Sequence, residues 1–191
     1  MDVLYDSFLI QEKILFIWKL FTYMRFDVQT EDFPETFYAF IEIPQGANTK
    51  LEYKPEVDNI VLDRILFTSM VYPTNYGFIL NTKGKDGDPL DVLVLASVPI
   101  PSGTIVKCRA VGIAQMSDEE GSDNKIIAVP VDKVDPNSVT IKDIDSFGDA
   151  LKNKIKHFFQ HYKELEKGKF MTFHGYAGRE EALKEIKESF L

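Results

Sequence analysis

The sequence predicts a mainly β protein, a closed barrel of short strands with its helices gathered at the C-terminal end. Short apolar runs punctuated by Gly, Pro, Asn and Asp follow one another from residue 37 to about residue 131, with no helical periodicity between them. Crowded strands of that kind favour a closed barrel over βαβ units. A period of three to four residues emerges only after residue 148. At 191 residues with 45% hydrophobic content the chain can bury one good core, so one compact domain over 28–191 is expected.

The strands read in order. FYAFIEI (37–43) and KLEYK (50–54) are strand-like and joined by the turn-rich PQGANT. NIVLDRILF (59–67), YGFIL (76–80), LDVLVLA (90–96), TIVKCRAVGIAQM (104–116) and KIIAVPV (125–131) follow. In DALKNKIKHFFQHYKELEKG (149–168), Leu151, Ile155, Phe158, Tyr162 and Leu165 form one apolar stripe of a helix. Ser146 with Asp149 resembles a capping pair at its start, and Gly168 suits its exit. A strand-like KFMTFHG (169–175) and a second helix, REEALKEIKESF (179–190), complete the pattern, without internal repeats or low-complexity tracts.

Composition removes several classes. A formal charge of −8 argues against a nucleic-acid binder, which needs a basic face. The single cysteine, Cys108, lies in an apolar run and reads as a packed thiol; it rules out a disulfide framework and a thiolate metal site and fits a reduced cytoplasm. Residues 1–27 form an N-terminal extension. Its apolar stretch ILFIWKLFTYM (14–24), interrupted by Lys19, is too short to span a bilayer core of ~30 Å, so stable membrane insertion is not expected. Asp2, Asp6 and Glu12 do not suit a secretory signal. An appended amphipathic helix, a translation start placed too early with Met24 as the true one, and peripheral membrane attachment remain open for this segment.

The chemistry concentrates in Asp86-Gly87-Asp88-Pro89-Leu90-Asp91, three carboxylates against the apolar strand VLVLA. Two unit charges ~4 Å apart repel by about 4 kcal/mol at an effective dielectric near 20, so the cluster calls for a multivalent cation. Oxygen-only donors favour a hard ion, Mg²⁺ or Ca²⁺ before Zn²⁺. Pro89 holds Asp88 extended, Gly87 permits a turn, and Asp86 and Asp88 would then point to one side. Asp91 opens the strand and is fixed by it. A calcium-binding EF-hand loop started at Asp86 fails, because it puts Asp91 where Gly is needed and Ser97 where the closing Glu is needed.

Other residues extend the pattern. Asp118, Glu119 and Asp123 lie in a second acidic loop, SDEEGSD, and Glu42 and Glu52 come from the early strands. Interleaved are Lys50, Arg64, Tyr72, Tyr76, Lys125, Tyr162 and Lys163. Acids for Mg²⁺ beside Arg and Lys for phosphate oxygens describe a polyphosphate site. Blander roles compete: Lys50 and Glu52 could be a surface ion pair, worth ~0–1 kcal/mol, and Tyr162 could be core with a hydroxyl at the rim. His157 and His161 have zinc-pair spacing but lack the intervening Glu of H-E-x-x-H, so a zinc site is not expected. His174 has no evident partner.

EIPQGANTKLEY, LDR, YPTNYGF, DGDPLDVLV, DEEGSDNKIIAVP and HFFQHYKELEKGK stand in that order. With them the chain resembles the family I soluble inorganic pyrophosphatases in their short bacterial and archaeal form, over roughly residues 34–190. The resemblance implies an OB-like five-stranded closed barrel flanked by extra strands and two helices. It implies Mg²⁺-dependent hydrolysis of inorganic pyrophosphate by a cytoplasmic homo-oligomer, commonly a hexamer. Asp86, Asp91 and Asp123 would hold the activating metal pair, with Asp91 bridging, and Asp88 would be the general base. Asp118 and Glu42 would help bind the metals that arrive with substrate. Lys50, Arg64, Lys125, Tyr162 and Lys163 would grip the phosphoryl groups and Tyr76 would orient nearby groups, with Glu52, Tyr72 and Glu119 in support. Tyr176 stands where many relatives carry Trp, outside this chemistry. A non-catalytic OB-like barrel binding single-stranded nucleic acid or a protein remains the alternative, and a calcium-binding structural protein a weaker one.

Overall fold

The computed structural model describes residues 26–84 and 87–191. Nine strands occur among them: β1 (Phe37–Ile43), β2 (Thr49–Lys54), β3 (Asn59–Ile65), β4 (Asn75–Ile79), β5 (Asp91–Val94), β6 (Ile105–Asp118), β7 (Gly121–Ser122), β8 (Lys125–Pro130) and β9 (Met171–Ala177). Two helices follow the barrel strands, α1 (Asp149–His161) and α2 (Arg179–Glu188), with short 3-10 turns at Pro136–Thr140 and Ile144–Ser146.

Each strand-like run noted from residue 37 onward contains a strand. β1, β4, β5, β8 and β6 pair in that order, and β6 pairs back to β1, closing an irregular OB-like ring of five. Only the β5–β8 pair in the ring is parallel. β9 and β7 add to β6, while β2 and β3 form a separate antiparallel ribbon. Beyond Asp91 and Lys125, which open them, β5 and β8 are apolar because both faces are covered. Val92, Val94, Ile126 and Ala128 pack toward Ala182 and Ile186 of α2. Leu93, Ile127 and Val129 pack toward Ile155, Phe158 and Phe159 of α1. Cys108 is fully buried and its thiol is pushed well above its ordinary range by desolvation. Strand β4 crosses β1 so closely that a Cβ on Gly77 would lie 1.8 Å from the Phe40 carbonyl oxygen, which leaves glycine as the residue that fits.

Three expectations are corrected. The first helix ends at His161, not near Gly168. Residues 162–168 form successive turns, and their side chains are drawn into ion pairs with distant strands, Lys163 to Asp118 and Arg64 to Glu166. Leu165 consequently leaves the apolar stripe and is 62% exposed. Ser146 does not cap α1: its hydroxyl accepts the N–H groups of Lys142 and Asp143, in a capping box with Asp143 around the preceding 3-10 turn, and Gly148 takes the N-cap position of α1. Nor is His174 without a partner, since its Nε2 lies 2.8 Å from Ser117 Oγ. The short β7 was not anticipated.

Residues 1–25, and with them the stretch 14–24, lie outside the described residues. Phe26 packs edge-on against Tyr53, Phe40 and Phe78 at ring-centroid distances of 4.5, 5.1 and 5.3 Å. Among the described residues no helix is long and apolar enough to cross a membrane.

Candidate active site

The ring and the β2–β3 ribbon border a cleft of about 870 Å³, and most of the polar residues singled out above are among those that line it. Parallel pairing of β5 and β8 sets Val92 against Ile126, so the residues that open the two strands, Asp91 and Lys125, stand side by side. The ammonium of Lys125 donates to Asp91 Oδ2 and, at 2.5 Å, to Asp123 Oδ1, and it lies 5.8 Å from the centre of the Tyr76 ring. Lys125 is only 2% exposed. Burial would pull its pKa down, but Asp91 and Asp123 outweigh burial and hold it above the ordinary lysine value, so it is charged. Asp123 is pushed up by burial in spite of that ammonium.

Glu42 occupies the place where the β1–β4 register slips between Ile41 and Ile43. Such a bulge turns a side chain out of the ladder. The backbone N–H of Tyr53 donates to Glu42 Oε1 at 2.7 Å, yet burial dominates, and the carboxyl rises from its ordinary 4.5 to about 8. The folded protein therefore keeps a proton on Glu42 between pH 4.5 and 8 that the unfolded chain has lost. Stability supplied by this group is complete below about pH 4.5 and is lost as pH rises toward 8, at about 1.4 kcal/mol per unit. In EDTA, chemical denaturation from pH 5 to 8 should show this decline, and Glu42→Gln should flatten it. An unchanged slope in the variant would mean that Glu42 is already ionised in the fold.

The ribbon forms the opposite wall. Lys50 donates to Glu52 Oε1 at 2.5 Å and Lys54 to Glu52 Oε2 at 2.6 Å. The ion pair suggested by spacing thus exists, and it lies inside the cleft. Burial tends to raise Glu52, but the two lysines prevail and hold it at about 2. Lys50 stands across from Arg64 in the β2–β3 register, and Arg64 donates through Nε to Glu166 Oε1 at 2.9 Å and through Nη1 to Asp63. At the third wall, Lys163 donates to Asp118 Oδ2 at 3.1 Å and to Glu119 Oε2 at 3.2 Å, and Lys169 also pairs with Glu119. Glu119, despite some desolvation, is held at about 2 by Lys169 and Lys163. Tyr162 stacks on Phe158 at 5.1 Å, and its hydroxyl end reaches the cleft.

The cleft thus gathers Glu42, Lys50, Glu52, Arg64, Tyr76, Asp88, Asp91, Asp118, Glu119, Asp123, Lys125, Tyr162 and Lys163. Asp86 lies outside the described residues. Tyr72 does not line the cleft; it is buried between Tyr76 and Phe158, at centroid distances of 5.6 and 4.8 Å, and supports the wall from behind. The rings of His157 and His161 lie 4.6 Å apart, tilted at 45° and away from the cleft, with His161 Nδ1 2.8 Å from Glu164 Oε2. Lys54, Asp63, Glu166 and Lys169, which take part in the ion pairs of the cleft walls, escaped the sequence reading. All stand in or beside motifs already noted. Lys54 shares a strand face with Lys50 and Glu52, whereas periodicity assigns Glu166 to the helix and Lys169 to the strand-like run after it.

The donor set suits a hard divalent cation. It is oxygen-only, and two of its carboxylates, Asp91 and Asp123, are aimed at a single positive charge. Among the described residues no three His, Cys, Asp or Glu side chains are gathered closely enough to hold an ion by themselves. The Lys125 ammonium lies between the Asp91 and Asp123 carboxylates and donates to both.

Residues 39–191 match the family model described as inorganic pyrophosphatase. The inorganic pyrophosphatase of Thermoplasma volcanium is 66% identical over 163 residues, covering 85% of this chain and 96% of its own. That of Saccharolobus solfataricus is 50% identical over 156 residues, covering 82% and 91%. The crystal structure of inorganic pyrophosphatase from Thermus thermophilus superposes with a TM-score of 0.82 at 40% identity, covering 85% of this chain and 93% of that one.

Proposed function

The chain belongs to family I of the inorganic pyrophosphatases, and from that premise we propose that it hydrolyses inorganic pyrophosphate to two orthophosphates, with Mg²⁺ as cofactor and Asp88 as general base. The observation that carries this reading is the meeting of carboxylates, ammonium groups and a guanidinium from β1, β2, β3, β5, β6, β8 and the turn after α1 in one cleft. Asp91 and Asp123, with Asp86, would hold the activating ions, and Asp118 and Glu42 would serve ions that enter with the substrate. Bound there, Mg²⁺ would neutralise phosphoryl charge and lower the pKa of coordinated water.

The protein's own groups do the rest. The carboxylate of Asp88 accepts a proton from the attacking water. The water oxygen forms a new P–O bond, the bridging P–O bond breaks, and its electron pair leaves with the second phosphate. Lys50, Arg64, Lys125 and Lys163 hold the phosphoryl oxygens and take up the charge that grows on the leaving group, so catalysis is mostly positioning and electrostatics. Burial, with Asp91 close by, pushes the phenol of Tyr76 well up, and burial does the same for Tyr162. Both remain O–H donors at neutral pH and add no negative charge. Supporting contacts come from Glu52, Glu119 and, behind the wall, Tyr72.

A barrel binding single-stranded nucleic acid would want a basic groove with stacking aromatics. The acidic groups of Glu42, Glu52, Asp88, Asp91, Asp118, Glu119 and Asp123 in this cleft favour hydrolysis of a metal-complexed anion instead. The same family membership supports a cytoplasmic homo-oligomer, with a hexamer as the expected size. Phosphate release from pyrophosphate tests the reading: it should be rapid in Mg²⁺, abolished by EDTA and restored by excess Mg²⁺. No release in Mg²⁺ would overturn it.

A further inference from the structure

We propose that Glu166 is a positioning residue for pyrophosphate binding, acting through Arg64; the inference rests on the function proposed above. Glu166 and Arg64 are 102 positions apart in the chain, yet Arg64 Nε donates to Glu166 Oε1 at 2.9 Å. The carboxylate is not a loose surface group, since the Glu166 side chain is 11% exposed. Its backbone is held at both sides: its N–H donates to the Lys163 carbonyl at 3.0 Å, and its own carbonyl accepts the Lys169 N–H at 3.2 Å. The turn so fixed is the one that presents Tyr162 and Lys163 to the cleft. Glu166 therefore ties the arginine of the ribbon wall to the turn that carries the lysine and tyrosine of the opposite wall.

The guanidinium geometry gives this tie a consequence. Nε is engaged by Glu166 and Nη1 by Asp63, the residue next to Arg64 on β3. Nη2 has no acceptor among the described residues, so its donors are available to a phosphoryl oxygen. A planar fork anchored at two of its three nitrogens loses less side-chain freedom when it binds an oxyanion. Asp63 alone would leave Arg64 anchored only to its own strand, free to rotate away from the turn. Helix periodicity hid the role, because it assigns Glu166 to a continuing helix rather than to a turn facing the ribbon.

A double-mutant cycle in the full chain tests this. Wild type, Glu166→Ala, Arg64→Ala and the double variant are compared for KM and kcat with magnesium pyrophosphate, and by calorimetry for the affinity of methylene diphosphonate, a non-hydrolysable analogue. Glu166→Ala should raise KM and the analogue's Kd by roughly 10-fold, the size expected from loss of one charge-assisted hydrogen bond, with a smaller change in kcat. In the Arg64→Ala background the same substitution should leave Kd within about 2-fold, the signature of coupled residues. Glu166→Gln, which keeps an acceptor for Nε, should fall between wild type and Glu166→Ala and guards against a folding defect. Independent, multiplying effects of the two substitutions on Kd, or unchanged affinity in Glu166→Ala, would overturn the inference while leaving the hydrolase reading intact. A wild-type protein that neither binds the analogue nor hydrolyses pyrophosphate would overturn both.

Discussion

Asp88→Asn should lower turnover of magnesium pyrophosphate by about 10²–10⁴-fold, the usual contribution of a general base, and leave Mg²⁺ affinity within a few-fold of wild type. Asparagine keeps the shape and the acceptor oxygen of the side chain but does not take a proton. The described backbone beside Asp88 is constrained. Gly87 has φ +97°, the Gly84 N–H donates to the Asp88 carbonyl, and Pro89 follows. Asp91 and Asp123 stand apart from this loop, on the first residue of β5 and just before β8, converging on Lys125. Steady-state hydrolysis together with calorimetric titration of Mg²⁺ separates the two roles. Near-normal turnover in the variant would remove Asp88 as the base. A large loss of Mg²⁺ affinity would make Asp88 a ligand instead.

The barrel was legible in the sequence because its signals are local. Apolar runs bounded by Gly, Pro, Asn and Asp announce strands wherever burial is decided within a few residues, as in Phe37–Ile43 and Lys125–Pro130. Most of the cleft was legible for a different reason: acids and bases were interleaved in motifs whose order matched a known family. What escaped was set by tertiary contact. The apolar stripe through Leu165 looked helical, but Lys163 and Glu166 are recruited by Asp118 and Arg64, and no period in the sequence encodes partners 45 and 102 positions away. The ammonium of Lys125 between Asp91 and Asp123 depends on the parallel register of β5 and β8, which a linear reading does not supply. His174 finds Ser117 only because β9 pairs with the far end of β6.

That ammonium sets up the second large effect. Lys125→Met keeps the length and apolar stem of the side chain but removes the charge shared by Asp91 and Asp123. Removing one partner of a buried ion pair typically costs about 3–5 kcal/mol, because the remaining charge is left uncompensated. Here the carboxylates are partly hydrated, with side-chain exposures of 26% for Asp91 and 20% for Asp123. A loss of about 2–4 kcal/mol in EDTA is therefore expected, read from urea denaturation. Saturating Mg²⁺ should shrink the deficit. A divalent ion held by the same carboxylates supplies the missing positive charge, and in the variant it no longer competes with an ammonium for them. Binding to the folded state alone adds stability in proportion to the logarithm of ligand concentration over Kd, so the variant should gain more from Mg²⁺ than wild type does. The two outcomes discriminate sharply. A deficit that is the same in EDTA and in Mg²⁺ would mean that Asp91 and Asp123 do not hold the ion, and the metal assignment would have to move to other oxygens of the cleft.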